Sequence, residues 1–137
     1  MGEALKAPTA RGVVEWLLRG AVGLLTDPRN PRGCLLVQGA LACGEAASPV
    51  RKELMARRAA GEAALRQRLK RAKSTGDLPT DSDPAHLARY VVTVVHGLAV
   101  QAAGGARRAD LRRVSRGAHP WHPRRLPRRL KQQEARP

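Results

Sequence analysis

Among residues able to do chemistry, the cysteines and histidines stand first, and their spacing argues against a metal. Cys34 and Cys43 are the only cysteines, neither belongs to a CxxC pair, and no matched histidine pair accompanies them, so they do not make a zinc site. His119 and His122 flank Trp121, but the sequence offers no further ligands beside them. There is no Ser/His/Asp arrangement, no phosphate-binding glycine loop, and no close pair of acids beyond the turn acids Asp81 and Asp83. Neither catalysis nor a cofactor is expected. What remains is a set of large or polar side chains on otherwise apolar faces: Trp16, Gln38, Cys43, Met55 and Tyr90. Residues of this kind line binding cavities, while ordinary core packing is the plain alternative for each, and for Gln38 contact with water at a helix margin.

The elements that must position these residues are helical. The chain of 137 residues has no Phe, one Tyr and two Trp, so a core must come from Leu, Val and Ala, and no run of alternating strand pattern interrupts the helical periods. Thr9 is the expected N-cap of a helix to about Thr26, with Val13, Val14, Leu17, Leu18, Ala21, Val22, Leu24 and Leu25 inward. Arg11, Glu15 and Arg19 face out, and Trp16 joins the stripe or its margin. Two prolines, an asparagine and a glycine in residues 27–33 stop it. Residues 33–46 form a small-residue helix, with Cys34, Leu35, Val37, Leu41 and Ala42 toward the core and Gly39, Ala40 and Gly44 allowing close approach.

Ser48 and Pro49 then open a long amphipathic helix to about Ser74, with Val50, Leu54, Gly61, Leu65, Leu69 and Ala72 on its inner stripe. Gly76 sits where a left-handed cap belongs, Leu78 is placed to fold back, and Pro79 blocks continuation. The helix of residues 83–105 organises the rest. Asp83 and Pro84 begin it and Gly104 and Gly105 close it. Leu87, Val91, Val94 or Val95, Leu98 and Ala102 make one face, and Val92, Ala99, Val100 and Ala103 a second, so one side meets the core and the other needs a partner. Thr93, Gly97, Val100 and Gln101 are the expected partner-facing positions, because Gly97 lacks the Cβ that holds another helix away. A last helix starts near Ala106 and ends at about Arg116. Four helices short of aromatic filler are expected to leave a cavity between them.

The formal net charge of +15 is concentrated at one end, since residues 107–137 hold eleven Lys or Arg against two acids. A solvated, disordered Arg- and Pro-rich tail over residues 117–137 is the simple reading; attachment to nucleic acid or an anionic surface is the functional one. Nothing before Ala10 has the apolar core of a signal peptide, and the longest apolar stretch is broken by His96 and Gln101, which points to a cytoplasmic protein with free thiols.

Three landmarks in order, RGCLLVQGALACGE from Arg32, a charged helix ending STGDLPTDSDP, and ARYVVTVVHGLAVQAAGGARRADLRRV, resemble the C-terminal ligand-sensing and dimerisation domain of TetR/AcrR-family transcriptional regulators. The resemblance covers about residues 7–114. It implies an all-α helical domain over residues 9–116 preceded by a linker or frayed end at 1–8. It also implies a small apolar effector held in the inter-helix cavity and a homodimer built on the helix of residues 83–105. The family's helix-turn-helix module is not expected within these residues, so DNA binding would need one supplied elsewhere. After Val114 the Pro, Arg and His mixture departs from the family's apolar dimer stripe, so a weakened dimer, or an inert remnant, are the accompanying expectations.

Overall fold

A computed structural model of the chain describes residues 1–42 and 48–120, with side chains for 1–39 and 48–120. Cys43 and residues 121–137, including Trp121, His122 and most of the basic tail, lie outside the described residues. The described residues are all-α: a single 3-10 turn at Ala4–Lys6 precedes α1 (Ala10–Leu25), α2 (Leu35–Ala42), α3 (Ser48–Ser74), α4 (Pro84–Ala103) and α5 (Arg108–Gly117). No described helix is long and apolar enough to cross a membrane.

The helix ends follow from side-chain caps. Thr9 accepts a bond from Gly12 N at 3.0 Å, and Asp83 accepts from Ala85 N and His86 N at 2.8 and 3.2 Å, with Pro84 at the first turn. Those two backbone donors hold the Asp83 carboxyl below its usual range. Two helices close in the same way. At the end of α3, Gly76 takes φ +78 while Asp77 N and Gly76 N return to Ala72 O and Lys73 O; at the end of α4, Gly105 takes φ +88 while Ala106 N and Gly105 N return to Gln101 O and Ala102 O. Both are six-to-one and five-to-two closures that need a residue without Cβ at the left-handed position.

Packing places α4 at the centre, against α1 on one side and α3 on the other, with α2 on α3 and α5 on α1. One core cluster joins Val13, Val14, Leu17 and Leu18 of α1 to Leu65 and Leu69 of α3 and Ala88 and Val91 of α4; a second joins Val22, Leu25, Val37, Leu98 and Leu111. The start of α1 thus meets the start of α4 and the end of α3, so α1 runs parallel to α4 and α3 antiparallel to it. Small residues make the approach close. A Cβ added to Gly39 of α2 would fall 2.7 Å from Leu54 Cδ1 of α3.

Two expectations about helix faces change. Leu24, Leu35 and Val50, each near an end of its helix, are 66%, 76% and 55% exposed, Leu35 on the side of α2 turned away from the buried Val37. Val92 and Ala99 join the inner face of α4, which widens into a single buried arc and leaves Val100 as the large apolar residue on the outer side. Residues 1–8 fold onto the domain: Ala4 is fully buried, and Arg68 donates to Leu5 O, Ala7 O and Pro8 O at 3.2, 2.9 and 3.1 Å. Beyond Gly117, Ala118 still returns its N–H to Val114 O at 2.8 Å.

The turn after α3 reaches across the fold. Leu78 is buried in the first core cluster, and Asp77 Oδ2 accepts from Ala10 N at 2.5 Å, capping α1 from 67 residues away. Ala10 is fully buried, so water cannot replace that partner. Asp77→Ala is expected to cost about 1–2 kcal/mol in urea-unfolding free energy, whereas Asp81→Ala in the neighbouring exposed turn should change it by less than about 0.5 kcal/mol.

Candidate functional site

Two surfaces stand out, the outer side of α4 beside the end of α5 and a groove between α1 and α5. At 100° per residue, Val91, Leu98 and Ala102 share the buried side of α4, and Thr93, Gly97, Val100 and Gln101 the opposite side, where all four are exposed. A Cβ on Gly97 would meet nothing within 4 Å, so this stretch of α4 is bare backbone toward solvent. Beside it, Tyr90 on α4 donates its hydroxyl to Ala118 O at 2.9 Å, tying the helix to the end of α5. Val114 of α5 is 54% exposed.

The second surface is an open groove of about 850 Å³ between α1 and α5. The helices run in opposite directions. His119, just past α5, lies 3.7 Å from Glu15 Oε1 near the start of α1, while Arg108 at the start of α5 is close enough to Asp27 to help depress its carboxyl, after Arg29 as the main cause. Arg11, Glu15 and Arg19 repeat every four residues along one wall, Arg108, Arg112 and Arg116 along the other, and Leu18, Val22 and buried Ser115 lie between. Only Arg11 among these arginines has an acidic partner among the described residues, Glu15 at 3.2 Å. The sequence showed the three α1 charges as solvent-facing. The four-residue spacing was legible, but not the opposition of two helices some ninety residues apart in the chain.

The sequence-selected cavity residues occupy separate places. Trp16 is 50% exposed, its ring passing over Gly20, and Met55 is 56% exposed on α3. Gln38 is exposed with its amide folded over Gly33, whose φ of +96 leaves no Cβ in the way. Tyr90 is half-buried, and Cys43 lies outside the described residues. None of the four described residues lines the α1–α5 groove or the smaller hollow of about 490 Å³ at the end of α1. Cys34 is a free, half-buried thiol. Among the described residues no group of His, Cys, Asp and Glu could hold a metal ion.

Between α3 and α4, His96 Nδ1 sits 3.3 Å from Arg58 Nη2. Burial, and next the Arg58 charge, push the imidazole below its ordinary value, with Glu62 opposing. Glu62 itself pairs with Arg89 at 2.8 Å. A neutral His96 can accept from Arg58; a protonated one cannot.

Residues 14–117 match the family described as tetracyclin repressor-like, C-terminal domain. Among solved structures, the fold is similar to a cysteine mutant of the TetR family transcriptional regulator CifR complexed with 26-base-pair operator DNA. That similarity has a TM-score of 0.79 and 38% identity over 88% of this chain and 64% of that one. It is also similar to a TetR regulator from Rhodococcus sp. RHA1, with a TM-score of 0.74 and 36% identity over 86% of this chain and 63% of the other. The HTH-type transcriptional repressor ComR of Escherichia coli (strain K12) is 24% identical over 90 residues, 66% of this chain and 43% of ComR. The chain thus spans less than two-thirds of the length of each of these proteins.

The His96 environment has a measurable consequence. A histidine with a depressed folded value binds fewer protons folded than unfolded, so its stabilising contribution is present above its ordinary value near 6.5 and is lost as pH falls below it. His96→Gln removes that titration. Stability measured by urea unfolding from pH 7.5 to pH 5 should fall less steeply in the variant than in the parent; parallel curves would contradict the assignment.

Proposed function

Because this chain belongs to the tetracyclin repressor-like C-terminal domain family, we propose that it is the effector-binding and dimerisation domain of a TetR-family transcriptional regulator, working in the cytoplasm as a homodimer. The family and its relatives are transcriptional regulators rather than enzymes. Regulators of this family act as dimers that bind operator DNA and small-molecule effectors. In this reading DNA contact comes from a helix-turn-helix outside these residues. The effector part is supported by the family, and Tyr90, half-buried between the α4 face and the end of α5, is the sequence-selected residue best placed for it. Trp16, Gln38, Cys43 and Met55 complete the proposed set.

One observation carries the dimer part. The outer side of α4 presents Thr93, Gly97, Val100 and Gln101 at three-and-four spacing with no Cβ at its middle, a surface on which a second helix can approach backbone to backbone. The described part of α5 adds the exposed Val114 beside it. Obligate dimers commonly bury at least ~2,000 Å², and a short α5 offers a modest share, so the expected dimer dissociates at low concentration. Gly97→Arg puts bulk and charge into the contact without touching the chain's own core. Sedimentation should shift from dimer to monomer with helicity unchanged. A variant as dimeric as its parent would remove α4 from the interface.

A further inference from the structure

The α1–α5 groove is built for something that the dimer face and the sequence-selected cavity residues do not account for. Five arginines line it against a single acid, Glu15, which Arg11 already holds. Arg19, Arg108, Arg112 and Arg116 are exposed and have no ion-pair partner among the described residues. Like charges four apart on a helix repel by about 0.2–0.5 kcal/mol per pair; Arg108, Arg112 and Arg116 make such a row on α5, and it faces Arg11 and Arg19 of α1, which have only Glu15 between them. A guanidinium offers a planar fork that matches an oxyanion with two parallel bonds. The floor is different in kind: Leu18 and Val22 are apolar and all but buried, so they offer an occupant no polar group and leave its acid groups to the arginine walls. A volume of about 850 Å³ is that of a small-molecule site rather than of a duplex, which would ride on a convex ridge of charges.

The geometry points to a binding site for a small organic anion, carrying two or more carboxylate or phosphate groups on a compact body, in the groove between α1 and α5. Arg112 and Arg116 from one wall and Arg19 from the other grip the acid groups, and the body lies over Leu18 and Val22. The arginine row and Val114 lie on opposite flanks of α5, so the site is separate from the α4 outer face and does not depend on dimerisation.

Trimesate, a benzene ring bearing three carboxylates, and inorganic pyrophosphate are suitable probes, titrated calorimetrically into the full chain. Both should bind saturably at one site per chain. Arg112→Glu and Arg19→Glu should each weaken trimesate by about tenfold or more, as loss of charge-assisted hydrogen bonds does, while Arg128→Glu, the same charge change in the basic tail, should alter it by less than about twofold. Circular dichroism checks that each variant folds. If Arg112→Glu does not, Arg19→Glu on the facing helix reads the same site. Absence of saturable binding, equal losses in all three variants, or displacement of trimesate by duplex DNA would overturn the proposal. Sedimentation of the same samples reports the α4 contact independently, so failure here leaves that reading standing.

Discussion

The bond from Ala10 N to Asp77 fixes the frame on which both surfaces are mounted. A helix starts with backbone donors that nothing inside it can satisfy, and at α1 one of them is buried. Thr9 serves Gly12 locally, but Ala10 is served from the turn that ends α3. That turn exists because Gly76 tolerates φ +78, which reverses the chain and aims Asp77 and Leu78 inward together. One backbone conformation thus ends one helix, caps another and fills the core between them. Arg68 adds a second clasp by holding the carbonyls of the segment leading into α1.

The core that this frame encloses is assembled without phenylalanine. Leucines at Leu18, Leu65, Leu69, Leu78, Leu98 and Leu111 supply the bulk, each worth about 1.5–3 kcal/mol when fully buried. Alanines at Ala10, Ala72, Ala88, Ala99 and Ala102 let the helices close in around them. The two clusters are not separate cores. Val94 packs against both, so α4 is a continuous spine with its buried arc shared along its length.

Helix ends were the most legible part of the sequence, because a cap is a local event: Thr9, Gly76, Asp83 with Pro84, and Gly105 each announce themselves within four residues. Stripes were legible only in the middle of helices. Periodicity groups Leu24, Leu35 and Val50 with apolar neighbours, but does not say whether another helix covers them there. The outer face of α4 could be read because Gly97 interrupts a greasy helix on one side. The groove could not, since its walls come from opposite ends of the chain and its arginines look, one helix at a time, like a solvated face. Nor could the sequence show that the short segment before Thr9 is clasped, because the clasp is a single arginine at Arg68 in a helix crowded with them.

The Tyr90–Ala118 bond makes α5 a strut shared by two surfaces. Its one flank walls the groove and its far end is pinned to the side of α4 that carries Thr93 and Gly97. A strut cannot move for one of its neighbours alone. By thermodynamic reciprocity, a groove occupant that changes how the α4 side meets a partner is itself bound more or less tightly by the same factor when that partner is present. The link runs through the Tyr90 hydroxyl and through Leu111, which packs in one cluster with Leu98 and Ala102 of α4.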